Sequence, residues 1–164
     1  MEMLRVRELM TEDPVTVQAG TETATAWDLM GERDLRHLIV VDAEGDLQGV
    51  VTHRDLLRNA LIERTDVPLY VERELLQRTQ VRDVMVSLVL TAEPEQDAAE
   101  AARTLFDEKI GCLPVVEGRR VVGILTESDF VRWFAYGARP RREPAPELAA
   151  AVLTSDAAWA PLGE

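Results

Sequence analysis

The strongest constraint on this chain is that it says nearly the same thing twice. VRELM at 6–10 returns as VRDVM at 81–85, and GVVTHRDLL at 49–57 returns as GILTESDFV at 123–131. Met10 and Met85 stand 75 positions apart, and Asp55 and Asp129 stand 74 apart. The lost residue falls between them, where DAEGDLQG (42–49) is answered by the shorter EGRRVVG (117–123). A unit of this length is too long for one solenoid turn and too short to be comfortable as a lone domain. The two copies are therefore expected to pack on each other about a pseudo-twofold axis. That arrangement creates two equivalent clefts, and clefts between packed units are common small-molecule sites.

Each copy reads strand–helix–strand–strand–helix. In the first, Pro14 marks a turn, VTV (15–17) a strand, and Ala26, Leu29 and Met30 an apolar helical face with Thr21 or Thr23 as its N-cap. HLIVV and LQGVVT form a hairpin, and HRDLLRNALIER begins a second helix. In the second, Val89, Leu90 and Thr91 give the strand, EQDAAEAARTLFDEKI the helix, CLPVVEGRRVVGILT the hairpin and ESDFVRWFAYG the last helix. The apolar runs LIVV and LPVV predict strands covered on both faces. The fold class is α/β (α+β): two repeats, each a small three-stranded mixed sheet with flanking helices. The boundaries read are 4–65 for repeat one, 66–80 for a linker helix whose Leu75 and Leu76 dock on it, and 81–136 for repeat two. The Pro/Arg-rich residues 137–164 read as a mobile tail with one short helix.

Charge and composition narrow the partners. A net charge of −12, from 30 acidic and 18 basic side chains, repels nucleic acid and anionic lipid. No apolar run is long enough for a membrane span, and the N-terminus lacks a signal-peptide layout. The single Cys112 cannot form an internal disulfide, which points to a reducing, cytoplasmic home. It falls in an apolar strand and reads as a small buried hydrophobe. With only His37 and His53, no Cys or His pair has metal-ligand spacing, so no metal site is expected. No Ser–His–Asp set and no P-loop lysine is present, so no catalytic residue is assigned and the chain is not expected to be an enzyme.

The chemistry concentrates where each hairpin ends, in Gly49-x-x-Thr52-x-x-Asp55 and Gly123-x-x-Thr126-x-x-Asp129. A helix opens at each threonine, and its first free N–H groups suit a phosphate. The aspartate one turn on offers two acceptor oxygens to neighbouring hydroxyls such as those of a ribose. Thr-x-x-Asp before an apolar helix is also a capping box, with Asp in place of Glu or Gln. Its occurrence at matching places in two related halves favours a ligand, and the two roles are compatible.

The methionine opening, the LPVV strand, the Gly-x-x-Thr-x-x-Asp ending and the twofold spacing together resemble the CBS domain. Residues 4–134 resemble a tandem CBS pair, or Bateman module, of the small stand-alone type typified by acetoin-utilisation proteins. The resemblance implies a regulatory sensor that binds AMP, ADP or ATP between the repeats and needs no further cofactor. It implies one cleft joining Thr91, Ile110, Cys112, Leu113 and Pro114 to Thr52, Arg54 and Asp55. The other joins Thr16, His37, Leu38 and Ile39 to Thr126, Ser128 and Asp129. The clefts are not equal: the first carries His53 and Arg54 inside its motif, and the second carries Glu127 and Ser128. Arg36 and His37 offset Glu127 in part, and Ile39 stands where the second repeat has Pro114. If one cleft alone is filled, the Arg54/Asp55 cleft is the expected one. A homodimer and an unidentified regulated protein are the expected partners, with Trp133 and Phe134 available to cover a dimer edge. The alternative function is a structural homodimerisation module whose clefts are degenerate and unoccupied.

Overall fold

The computed structural model describes residues 3–62 and 79–137. The predicted linker helix, save Thr79 and Gln80, and the tail beyond Gly137 lie outside them. In chain order the elements are β1 (Thr11–Glu12), β2 (Thr16–Gln18), α1 (Thr23–Glu32), β3 (His37–Val41), β4 (Leu47–Thr52) and α2 (His53–Ile62). There follow α3 (Val81–Val84), α4 (Ala98–Glu108), β5 (Cys112–Glu117), β6 (Arg120–Thr126) and α5 (Glu127–Tyr136). A 3-10 turn at Val6–Glu8 precedes them. Strand β2 runs parallel to β3, which pairs antiparallel with β4. In the other sheet β6 lies between β1 and β5, antiparallel to both.

The two halves exchange their opening arms. β1 follows the first VRELM motif, yet it pairs with β6 of the second repeat, Thr11 opposite Ile124. Its counterpart Val86 exchanges both backbone bonds with Val50 of β4, at 3.0 and 2.9 Å. The motifs themselves follow the same rule. Val6 and Leu9 are buried with Ala98, Leu105, Leu113 and Leu125, whereas Val81 is buried with Ala26, Met30, Leu38 and Leu56. Backbone bonds repeat the symmetry: Val6 N–H donates to Gln96 and Val81 N–H donates to Thr21. Val6 and Val81 are fully buried, and each contributes roughly 1.5–3 kcal/mol to holding its arm on the opposite core. At the axis the two hairpin turns meet, with Leu47 N–H on the Arg119 carbonyl (3.0 Å) and Arg119 Nε on Asp46 Oδ2 (3.0 Å).

The exchange explains the glycines of the repeated motif. A Cβ at Gly49 would stand 2.4 Å from the Val86 carbonyl oxygen, and one at Gly123 would stand 2.6 Å from Met10 Sδ. Both positions lie under the arm of the other repeat, where a Cβ would meet backbone at Gly49 and a flexible side chain at Gly123.

Two local expectations differ from the structure. Helix α1 is capped by Glu22, without a side-chain bond; neither Thr21 nor Thr23 takes that place. Thr23 is already helical and buried, and its N–H donates to the Thr79 carbonyl (2.9 Å), so the incoming arm satisfies the helix end. The strand expected at 89–91 shrinks to one parallel bridge, Ala92 to Val115. Ala92 N–H reaches the Pro114 carbonyl, but the next rung would need an N–H from Pro114, which proline lacks. At the matching place Ile39 has that N–H, and β2 persists for three residues.

Candidate functional site

Each motif aspartate is fixed by its own helix start. In the first half Asp55 Oδ2 accepts from Thr52 N–H (2.9 Å) and Thr52 Oγ1 (2.6 Å), and Asp55 N–H donates to Thr52 Oγ1 (3.1 Å). In the second half Asp129 Oδ2 accepts from Thr126 N–H (2.7 Å) and Thr126 Oγ1 (2.8 Å). These are capping boxes in geometry. One oxygen of each carboxylate serves the cap, which leaves Oδ1 for other work. The halves diverge there. Asp129 Oδ1 accepts from the Arg132 guanidinium, and Asp129 is 4% exposed. Asp55 Oδ1 accepts no hydrogen bond from a described residue, although Arg58 occupies the place matching Arg132.

Both aspartates line a single cavity of about 1330 Å³ between the repeats. The pseudo-twofold divides its wall into two clefts. The Asp55 cleft is formed by Thr52, His53, Arg54 and Asp55 from the first half, facing Leu88–Leu90 and Phe106–Cys112 from the second. The Asp129 cleft is formed by Thr126–Asp129 and Arg132, facing Asp13–Val15 and Asp34–His37. Arg36 reaches across this second cleft to Ser128 Oγ (3.3 Å).

Of the residues expected to bind, Thr52, Arg54, Asp55, Ile110 and Cys112 stand together on the first wall, and His37, Thr126, Ser128 and Asp129 on the second. Thr16, Leu38, Ile39, Thr91, Leu113 and Pro114 do not line the cavity. The strand period accounts for two of these: Leu38 and Leu113 point into the two cores, on the face opposite to His37 and Cys112. Ile39 and Pro114 share the face of His37 and Cys112 but are buried there, opposite Val50 and Ile124. Thr16 and Thr91 are exposed outside it. Leu88, Leu90, Phe106 and Lys109 also stand on the first wall and Asp13 and Asp34 on the second, although none belongs to the repeated Gly-x-x-Thr-x-x-Asp motif. Repeat alignment was the available signal, since Lys109 and Asp34 occupy matching positions. They also share a left-handed backbone, φ 55° and 51°.

The two histidines have distinct settings. His53 stacks on Trp27 with ring centroids 4.4 Å apart, which holds it at the cavity wall. His37 packs on Gly111 across the repeat boundary, where a Cβ would come within 2.7 Å of its Nε2. Burial, and then the neighbouring Arg36 cation, hold the His37 imidazole below its ordinary 6.5; Glu127 and Asp55 pull the other way. Above pH 6.5 His37 is neutral in both folded and unfolded chains. As the pH falls from 6.5 toward the depressed folded value, the unfolded chain binds the extra proton and stability drops. Urea unfolding at pH 7.5 and 5.5 is expected to show this loss, and His37→Gln to shrink it. An equal loss in the variant would assign the slope to other groups. At the position matching His37, burial pushes the Cys112 thiol up to about 12, so it stays protonated and unreactive. Among the described residues no group of three or more His, Cys, Asp or Glu side chains could hold a metal ion. No helix among them is long and apolar enough to cross a membrane.

Comparison with known proteins agrees with this architecture. The model of the CBS domain matches residues 6–61 and 81–136. An uncharacterized protein of Methanocaldococcus jannaschii is 29% identical over 138 residues, which cover 82% of this chain and 33% of that protein. The chain likewise spans 23% to 41% of the lengths of three further curated relatives. A candidate acetoin utilization protein of Vibrio cholerae, known from a crystal structure, superposes with a TM-score of 0.70 at 35% identity, over 82% of this chain and 92% of that one. CBSX2, crystallised in complex with AMP, superposes with a TM-score of 0.69 at 30% identity, over 82% and 99% of the two chains.

Proposed function

The chain belongs to the CBS domain family, and from that premise we propose that it is a non-catalytic sensor that binds AMP, ADP or ATP between its two repeats. The observation that carries the reading is the shared cavity, walled by a capped Thr–Asp pair from each half and by apolar residues of the opposite half. The Thr52, His53 and Asp55 N–H groups at the helix start are already bonded within the protein, so the Arg54 side chain is the donor for a phosphate. The Asp55 oxygen not used by the cap is the acceptor for ribose hydroxyls, and Leu88, Leu90 and Ile110 supply an apolar wall for a base. The AMP-bound relative supports an adenosine ligand. A ligand that touches both halves has different contacts when they separate, and that difference is what lets binding shift the shape of the module.

The reading includes a homodimer in the cytoplasm acting on a regulated protein. Helix α5 supports the dimer, because Val131, Phe134 and Tyr136 are largely exposed on it. Light scattering is expected to give twice the monomer mass, and a monomer at micromolar concentration would contradict it. The protonated Cys112 thiol is compatible with a reducing compartment. A purely structural dimerisation module is the competing reading, favoured by the use of both Thr–Asp pairs as helix caps. Calorimetry with AMP, ADP and ATP separates the two: saturable binding supports the sensor, and no heat at millimolar nucleotide supports the scaffold.

A further inference from the structure

We infer that the two clefts are tuned by charge to different ligands, so that a phosphorylated adenosine binds once per chain, in the Asp55 cleft. The inference rests on the sensor reading above and adds its specificity. The pseudo-twofold makes positions of the two clefts equivalent. Lys109 in the Asp55 cleft answers to Asp34 in the other, Arg54 to Ser128, and His53 to Glu127. Each exchange makes the Asp55 cleft more favourable to an anion.

The state of the cations matters more than their number. Arg54 and Lys109 form no hydrogen bond or ion pair with any described residue, and both stand exposed on the wall. A phosphate can take them without displacing a partner among the described residues. In the Asp129 cleft both arginines are committed, Arg36 to Ser128 and Arg132 to Asp129. A phosphate entering there would face Glu127 and Asp34, with the Arg132 guanidinium already paired with Asp129 and one Arg36 nitrogen on Ser128. The Asp55 wall also carries Asp107 and Glu108 in the last turn of α4, exposed like Lys109, so water screens both signs there and the contrast between the clefts rests on the matched exchanges.

The sugar and base favour the same cleft. Asp55 Oδ1 has no partner among the described residues, whereas Asp129 Oδ1 is held by Arg132. Leu88, 96% exposed, and Phe106, 80% exposed, form an apolar lip beside the Asp55 cleft. Their counterparts are Asp13 and Gly31, which offer a charge and no side chain. An unoccupied lip of this kind gains by covering a planar base.

The test is calorimetry of the full chain with AMP and with adenosine, on the parent protein and on Lys109→Asn, an asparagine being tolerant of the left-handed backbone. One AMP per chain is expected, bound more tightly than adenosine. Lys109→Asn is expected to weaken AMP roughly three- to tenfold while leaving adenosine unchanged. The adenosine affinity thus checks that the variant is folded. Two equivalent AMP sites per chain, equal affinity for AMP and adenosine, or an equal loss of both in the variant would overturn the inference while leaving the sensor reading standing. Failure of both ligands to bind the parent protein would overturn the sensor reading itself, and this inference with it.

Discussion

Asp55→Ala is expected to weaken AMP binding roughly 10- to 150-fold, the equivalent of about 1.5–3 kcal/mol for hydrogen bonds to a charged acceptor. The reason is the division of labour within one carboxylate. Oδ2 is bonded to Thr52, Oδ1 has no partner among the described residues, and the residue lines the cavity. Alanine removes both, so some loss of stability accompanies the loss of binding, about 1 kcal/mol for a helix cap. Asp55→Asn separates the two effects. Its remaining oxygen can keep the bond from Thr52 N–H while its amide replaces the acceptor facing the ligand. Near-parental melting with weakened AMP binding is expected for that variant. Parental AMP affinity in both variants would show that Asp55 is a cap and nothing more.

Gly49→Ala is expected to be the most damaging single-methyl change in the hairpins. The added Cβ would stand 2.4 Å from a backbone oxygen, that of Val86, and 3.2 Å from its carbonyl carbon. Neither atom can move alone, because Val86 is tied to Val50 by two backbone bonds. The arm must lift from β4 or the strand must bend, at a cost of about 1–3 kcal/mol. Gly123→Ala is the matched control. Its closest neighbour is Met10 Sδ, the mobile part of a flexible side chain, and the nearest backbone atom is 3.1 Å away. Urea midpoints are expected to fall further for Gly49→Ala than for Gly123→Ala. The reverse order would contradict the account of the exchanged arms.

Much of this molecule is legible in its repeats. The duplicated motifs imply the twofold, and Thr-x-x-Asp ahead of an apolar run implies a helix start with a carboxylate beside it. The arm exchange is not legible, because VRELM reads the same whether Val6 packs on its own repeat or on the other. Only tertiary contacts decide that, and they send Val6 to Leu113 and Leu125. The loss of the strand at 89–91 is legible in retrospect, since Pro114 stands where its partner would donate. On the site, the motif residues Asp55 and Asp129 line the cavity, while strand residues such as Leu38 and Leu113 turn inward. Family resemblance identifies a segment, but alternation along a strand decides which side chains of that segment meet the ligand. Lys109 and Asp34 went unread because neither belongs to a motif, and their importance lies in a contrast between matching positions.

The most direct test is a crystal structure of the full chain grown with saturating AMP. The account predicts AMP within the inter-repeat cavity, its ribose hydroxyls within hydrogen-bond reach of Asp55 Oδ1 and its phosphate toward Arg54 and Lys109. AMP bound outside that cavity, or a cavity left empty at saturation, would contradict it.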